Sequence, residues 1–323
     1  MSEPQSPDPQ NNENWQKDVL TKLVFASLNE QRRTRRWNIF FKSIFLGYLF
    51  LLLVIMLIPG AGERHGYGAG KHTSMVEIKG IIAANADASA DNVIAGLRDA
   101  FEDKNTAGII LRINSPGGSP VQAGYIYDEI KRLRGIYPAI KVYAVIADIC
   151  ASGGYYIASA ADNIYADKAS LVGSIGVIMN GFGFVDTLKK FGIERRLYTA
   201  GKHKGFLDPF SPENKDEVAH VKTMLENIHQ QFIDAVKAGR GKRLKDDKNL
   251  FSGLIWTGEE GEKLGLVDGL ASGGKVARDI IKAKNIVDYT HRPNYWQRFA
   301  DRIGASAATK LSTMLHLDDM LPQ

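Results

Sequence analysis

Two glycine-rich corners hold the residues of this sequence best suited to chemistry at a carbonyl. In VYAVIADICASGGYYIASAAD an apolar strand over 141–147 runs into Cys150-Ala151-Ser152-Gly153-Gly154 and then into an apolar helix. Ser152 therefore falls at the helix entry, among residues too small to shield its hydroxyl. A turn of that shape exposes Oγ and offers the next backbone N–H to an oxyanion, as a nucleophilic serine requires. The GxSxG pattern is not met, because Cys150 occupies the first glycine position. A serine at a helix start also serves as a plain N-cap, and the sequence leaves both roles open. In IILRINSPGGSPVQAG a strand over 107–114 meets Pro116-Gly117-Gly118 before a helix that begins near Pro120. Paired glycines let backbone N–H groups face outward unobstructed, which suits an oxyanion and equally a tight strand-to-helix turn.

A nucleophilic serine needs a base. His203 is the nearest histidine downstream of Ser152, and Lys168, Lys202 and Lys204 are the alternatives. A lysine serves only where burial favours its neutral amine. Cys150, the single cysteine, lies between apolar Ile149 and Ala151, a setting typical of a buried thiol. Being alone, it excludes an intrachain disulfide and any metal site built from several thiolates. The seven histidines are scattered, with no HExxH and no clustered carboxylates, so neither a metal nor another cofactor is expected. GLASGGKV (269–276) has the spacing of a phosphate loop but puts Val276 where a hydroxyl must reach the metal, and GYGAG (66–70) lacks the flanking strand and helix of a dinucleotide fingerprint.

The elements that must position these corners alternate in type. Strand-like runs occur at 74–80, 107–114, 140–147, 173–179 and 195–200. Helical patterns fall at Ala88–Glu102, Val121–Arg134, Tyr155–Ala161, Val185–Phe191 and Pro212–Ala238. Such alternation marks βαβ units and an α/β fold, and near-continuous runs such as GIILRI and VYAVIA predict strands covered on both faces. No internal repeat is present.

Ahead of this domain, residues 1–16 are polar and predict an unstructured tail, and 18–28 show amphipathic helical spacing. Trp37 to Ile58 is then broken only by Lys42, near one end. At about 1.5 Å per residue this run reaches roughly 33 Å, enough for a single transmembrane helix. More than thirty residues precede it, against the short n-region of a cleavable signal peptide. Residues 1–36 are then cytoplasmic, 37–58 the membrane span, 59–72 a glycine-rich tether, 73–285 the catalytic domain and 286–323 a C-terminal extension. Arg32, Arg33, Arg35, Arg36 and Lys42 crowd the N-terminal side of the span, so the positive-inside rule puts the catalytic domain outside the cytoplasm.

The same residues account for the charge. The 323 residues carry 41 Lys plus Arg against 36 Asp plus Glu, a net +5. Removing the five basic groups of 31–42, where no acid occurs, leaves a balanced chain, so nothing argues for nucleic acid.

INSPGGS (113–119), ASGGYYIASAAD (151–162), VGSIGVIM (172–179), AGKHKGFLDPFSPE (200–213) and WTGEEGEKLGLVDG (256–269) occur in the order and spacing of the SppA-type signal peptide peptidases, or protease IV. The chain resembles the short, single-repeat form over residues 74–285. The resemblance implies a ClpP/crotonase-like fold and a membrane-anchored serine endopeptidase with a Ser–Lys dyad. It assigns Ser152 as nucleophile, Lys204 as base in preference to Lys202, Ser174 as the residue orienting the base, and the amides of Gly118 and Gly153 as the oxyanion hole. It further implies hydrophobic peptide substrates such as signal-peptide remnants, a homo-oligomeric ring and a place in the bacterial inner membrane. Gly205 departs from the family's acidic residue after the base and predicts a more mobile loop there, with Phe206 and Leu207 as pocket-lining candidates. A crotonase-like acyl-CoA enzyme and a catalytically inactive membrane scaffold are the competing readings.

Overall fold

The computed structural model describes residues 9–57 and 70–292, which fall into a long helix, α1 (Pro9–Leu57), and a domain from Gly70 onward. α1 opens on Pro9, a residue suited to the first helical position. Residues 9–16, expected as part of an unstructured tail, are therefore helical. Once a helix is nucleated, extending it through Gln, Asn and Glu is cheaper than starting one, and no glycine or second proline interrupts residues 10–16. The amphipathic stretch 18–28 and most of the apolar run 37–58 lie on the same helix. Residues 1–8, the last residue of the expected span (58), most of the expected tether (59–69) and most of the expected extension (293–323) lie outside the described residues. Among the described residues, which omit several side chains of the apolar run, no helix is long and apolar enough to cross a membrane.

The domain is an eight-stranded sheet: β1 (His72–Lys79), β2 (Thr106–Ser115), β3 (Val142–Ala151), β4 (Asn163–Ala166), β5 (Leu171–Gly173), β6 (Ile255–Thr257), β7 (Gly269–Leu270) and β8 (Ile286–Asp288). Its order is β6-β5-β3-β2-β1-β8, with β4 also paired to β3 and β7 beyond β4. Every pair is parallel except β5–β6. The helices α2 (Ala90–Glu102) and α3 (Pro120–Ile136) make the crossovers β1-α2-β2 and β2-α3-β3, followed by α4 (Gly153–Ala158), α5 (Val185–Lys190), α6 (Lys215–Arg240) and α7 (Gly258–Leu264). Ser89 and Ser119 cap α2 and α3 by accepting from Asn92 N and Gln122 N.

The apolar strands are indeed covered on both faces. Ile109, Leu111 and Ile113 of β2 enter the main core with Leu97, Ile126 and Ile157, while Ile110 and Val145 turn to a smaller core closed by Val276 and Ala277. A buried polar cluster ties the C-terminal end of α6 to the sheet. The guanidinium of Arg240 donates to both oxygens of Asp268 at 2.7 and 2.9 Å and to the carbonyl of Gly265, and Asp268 also accepts from Ile164 N.

Two expected strands do not form as read. Of 173–179 only Gly173 is in a strand, because Ser174 at φ 52° turns the chain out of the sheet. RRLYTA (195–200) is exposed and irregular; among the described residues its β-type side chains have no neighbouring strand to complete a ladder. Residues 286–288 form the edge strand β8 against β1. Just beyond it, the Tyr289 hydroxyl meets Asp103 Oδ2 at 2.5 Å and His72 Nε2 at 3.1 Å.

Candidate active site

Between the last residue of β3, Ala151, and the first of α4, Gly153, a single residue makes the corner. That residue is Ser152, with φ 52° and ψ −123°. A side chain held there costs about 1–3 kcal/mol, a strain that persists only where the surroundings enforce it. Parallel pairing does so from below: Cys150 is in register with Ser115 of β2 and with Val172 of β5. Ser152 N donates to Gly173 O at 2.9 Å. The Ser152 hydroxyl makes no capping bond, which sets it apart from Ser89 and Ser119 and removes the plain N-cap role. Cys150 is fully buried, and burial pushes its thiol well above the ordinary thiol range.

The Pro116-Gly117-Gly118 turn lies against this corner. Gly117 has φ 102°, and a Cβ on it would stand 2.7 Å from Ser152 Cβ and 2.8 Å from Gly153 N. A Cβ on Gly153 would lie 3.4 Å from Gly118 N, so the amides of Gly118 and Gly153 are neighbours at the edge of the serine. Neither amide donates to another backbone group among the described residues. The turn is held by Ser115, whose hydroxyl donates to Gly80 O at 2.6 Å and accepts from Gly117 N at 3.1 Å, and by Ile82, which bonds Gly117 O and Ser119 N. Ser115 is a supporting residue that sequence reasoning missed. Its only signal was a serine at a strand end two residues before paired glycines.

Ser174 follows Gly173 directly and is half-buried. Its own amide donates to Leu254 O at 2.8 Å, and the next carbonyl, that of Ile175, accepts from His229 Nε2 at 3.1 Å. Gly173 is required there: at φ 101°, a Cβ would meet Trp256 Cδ1 at 3.0 Å and Leu254 O at 3.2 Å. The structure thus brings Ser152, Gly118, Gly153 and the Ser174 segment together. Lys204 lies on the long excursion between β5 and α6. It is exposed in the run of turns 201–207, and its ammonium has no hydrogen-bond or ion-pair partner among the described residues. Gly205 is packed, since Leu197 Cδ2 lies 2.5 Å from where its Cβ would be. A concave pocket of about 840 Å³ adjoins this segment, lined by Met179, Phe182, Leu197, Lys202, Leu207 and Val221 among others; Leu207 contributes to it and Phe206 does not.

A strained serine at a strand-to-helix corner, beside two unengaged glycine amides on a mostly parallel sheet, defines the class of acyl-transfer hydrolases. Comparison with known proteins agrees. The model of peptidase family S49 matches residues 138–286. A provisionally named protease of Synechocystis is 32% identical over 202 residues, covering 62% of this chain and 70% of that protein. Protease 4 of Haemophilus influenzae is 31% identical over 210 residues, covering 64% and 34%. A Brucella melitensis protein named Na(+)/H(+) antiporter NhaA is 49% identical over 174 residues, 54% of this chain, and the match spans about a quarter (24%) of that protein's length. The chain belongs to peptidase family S49.

Proposed function

We propose that this protein is a membrane-anchored serine endopeptidase that hydrolyses hydrophobic peptides, such as signal-peptide remnants, through Ser152 and Lys204. The observation that carries the reading is the Ser152 corner: a hydroxyl with no capping bond, at positive φ, beside the paired amides of Gly118 and Gly153. Neutral Lys204 takes the hydroxyl proton, Oγ attacks the peptide carbonyl, and the two amides hold the resulting oxyanion. Collapse expels the amine product, which receives the proton back from Lys204. Water, deprotonated by neutral Lys204, then attacks the acyl carbonyl, and Lys204 returns that proton to Ser152 Oγ as the ester bond breaks and the acid product leaves. Ser174, one residue past the carbonyl that anchors Ser152, orients the base.

A lysine is a base only as the neutral amine, which desolvation favours. Lys204 is exposed in the single chain. We assign its desolvation to the packing of subunits in a homo-oligomeric ring, where the apolar side chains Ile178 (82% exposed), Phe182 (82%) and Tyr198 (88%) of the same excursion are also covered. The apolar run 37–58, with its basic collar, anchors the N-terminus in the inner membrane with the catalytic domain outside the cytoplasm. A tether of about a dozen residues then keeps the site near membrane-bound peptides. The test is peptide turnover together with fluorophosphonate labelling of wild type, Ser152→Ala and Lys204→Ala. Both variants should lose turnover; an unchanged rate in Ser152→Ala ends the peptidase reading.

A further inference from the structure

Resting on the Ser152 reading, we infer that His229 is a positioning residue, which holds the Gly173–Ile175 segment in place for both serines of the site. His229 lies in the middle of α6, far from Ser152 in sequence. Its Nε2 faces the carbonyl of Ile175 at 3.1 Å, and a carbonyl only accepts, so Nε2 carries the proton and donates. Ile175 is fully buried and immediately follows Ser174. One turn further along the same helix face, Phe232 packs against Tyr156 of α4 with ring centroids 5.1 Å apart. α4 is the helix whose entry is Ser152.

One face of α6 therefore braces both halves of the site: Phe232 the helix that presents Ser152, and His229 the segment that carries Ser174. The segment is fixed at three backbone points. Gly173 O accepts from Ser152 N, Ser174 N donates to Leu254 O, and Ile175 O accepts from His229. The first two belong to neighbouring backbone in the sheet region. The third is the only one of these bonds made by a side chain, and it stops the positive-φ turn at Ser174 from relaxing outward. Without it, the carbonyl of Ile175 is left without this partner, and Gly173 and Ser152 N shift with the turn.

The experiment uses the full-length protein and compares His229→Gln, whose amide nitrogen can reach the same carbonyl, with His229→Leu, which fills the space without a donor. The readouts are the second-order rate of Ser152 labelling by a fluorophosphonate, and kcat and KM on a peptide substrate. His229→Leu should lower the labelling rate and kcat by about tenfold, the size expected for a lost, partly buried hydrogen bond, with KM nearly unchanged. His229→Gln should recover most of the loss. If the leucine variant does not fold, His229→Asn, whose amide is too short to reach Ile175 O, replaces it with the same expectation. Labelling of the donorless variant at the wild-type rate overturns the inference, as does a glutamine variant as slow as the leucine one. A wild type that is not labelled at Ser152 overturns the peptidase reading itself, which keeps the two failures distinct.

Discussion

The amide of Ser152 donates to the carbonyl of Gly173 at 2.9 Å, and the residue after Gly173, Ser174, has the same φ as Ser152, 52°. Two non-glycine residues in a sparsely populated backbone region, joined through one hydrogen bond, place two hydroxyls at the ends of adjacent parallel strands. The sheet makes this arrangement possible, because β3 and β5 pair from Ile149 with Leu171 to Ala151 with Gly173 and stop together. Strain at Ser152 is thus a property of where two strands end, held by a ladder bond.

If that strain is held for function, removing the side chain should release it. Ser152→Ala keeps the Cβ and should unfold within about 0.5 kcal/mol of wild type, since the hydroxyl makes no capping bond. Ser152→Gly tolerates φ 52° and should exceed the alanine variant by about 1 kcal/mol in denaturant stability, while both are inactive. Equal stability for the two variants would show that the corner is not strained.

Gly118 is constrained in a different way. At φ 153°, a Cβ there would stand 2.1 Å from Ile82 O, so Gly118→Ala must open the bridge between Ile82 and Gly118 and move the amide offered to the oxyanion. Turnover should fall by about 10²–10³, the loss typical of a missing oxyanion donor, with a much smaller change in KM. Stopped-flow or steady-state assays on a peptide ester separate the two constants, and an unaltered kcat would place the oxyanion elsewhere.

Cys150 offers a control for the nucleophile. It is buried two residues before Ser152, and its thiol is pushed toward the protonated form by burial. Iodoacetamide should leave the native protein active and Cys150 unmodified. Cys150→Ala should keep full turnover at a cost of about 1 kcal/mol in stability for the lost packing. Inactivation by alkylation at Cys150 would shift suspicion to the thiol.

The central strands and the helices between them were legible because apolar runs and capping serines report burial and helix starts locally. β2, β3, α2 and α3 lie within a few residues of their sequence-based bounds. The short strands β4, β6, β7 and β8 were not, since two to four residues carry no period and their pairing depends on partners distant in the chain: Trp256 is opposite Val172, and Ile286 opposite Thr73. The Ser152 corner was visible as a strand meeting a helix across small residues. Its positive φ was not, because serine has no preference for that conformation; the ladder bond to Gly173 imposes it. Ser115 and His229 act through backbone carbonyls and amides, which leave no spacing rule in a sequence.

Glu129 on α3 predicts how stability responds to acid. It is nearly buried and accepts from Arg132 Nε and Arg98 Nε, each at 2.7 Å, so α2 and α3 are joined through one carboxylate. The Arg132 hydrogen bond, against the opposing effect of burial and with help from Arg98, lowers its pKa from 4.5 to about 2. A carboxylate with a depressed folded pKa contributes stability that is complete above its unfolded value and disappears as pH falls through the folded one. The window therefore runs from about pH 4.5 down to about pH 2. The shift corresponds to about 3 kcal/mol at neutral pH. Asp268 adds to the loss in the same direction: burial raises its carboxyl, but the hydrogen bonds and charge of Arg240 outweigh that and hold it below the usual range. Glu129→Gln should lower stability at pH 7 by about 2–3 kcal/mol and flatten the decline between pH 4.5 and 2, because the amide no longer titrates. Urea denaturation of both proteins across that range measures the difference. Parallel curves, offset but equally steep, would show that Glu129 does not drive the acid response.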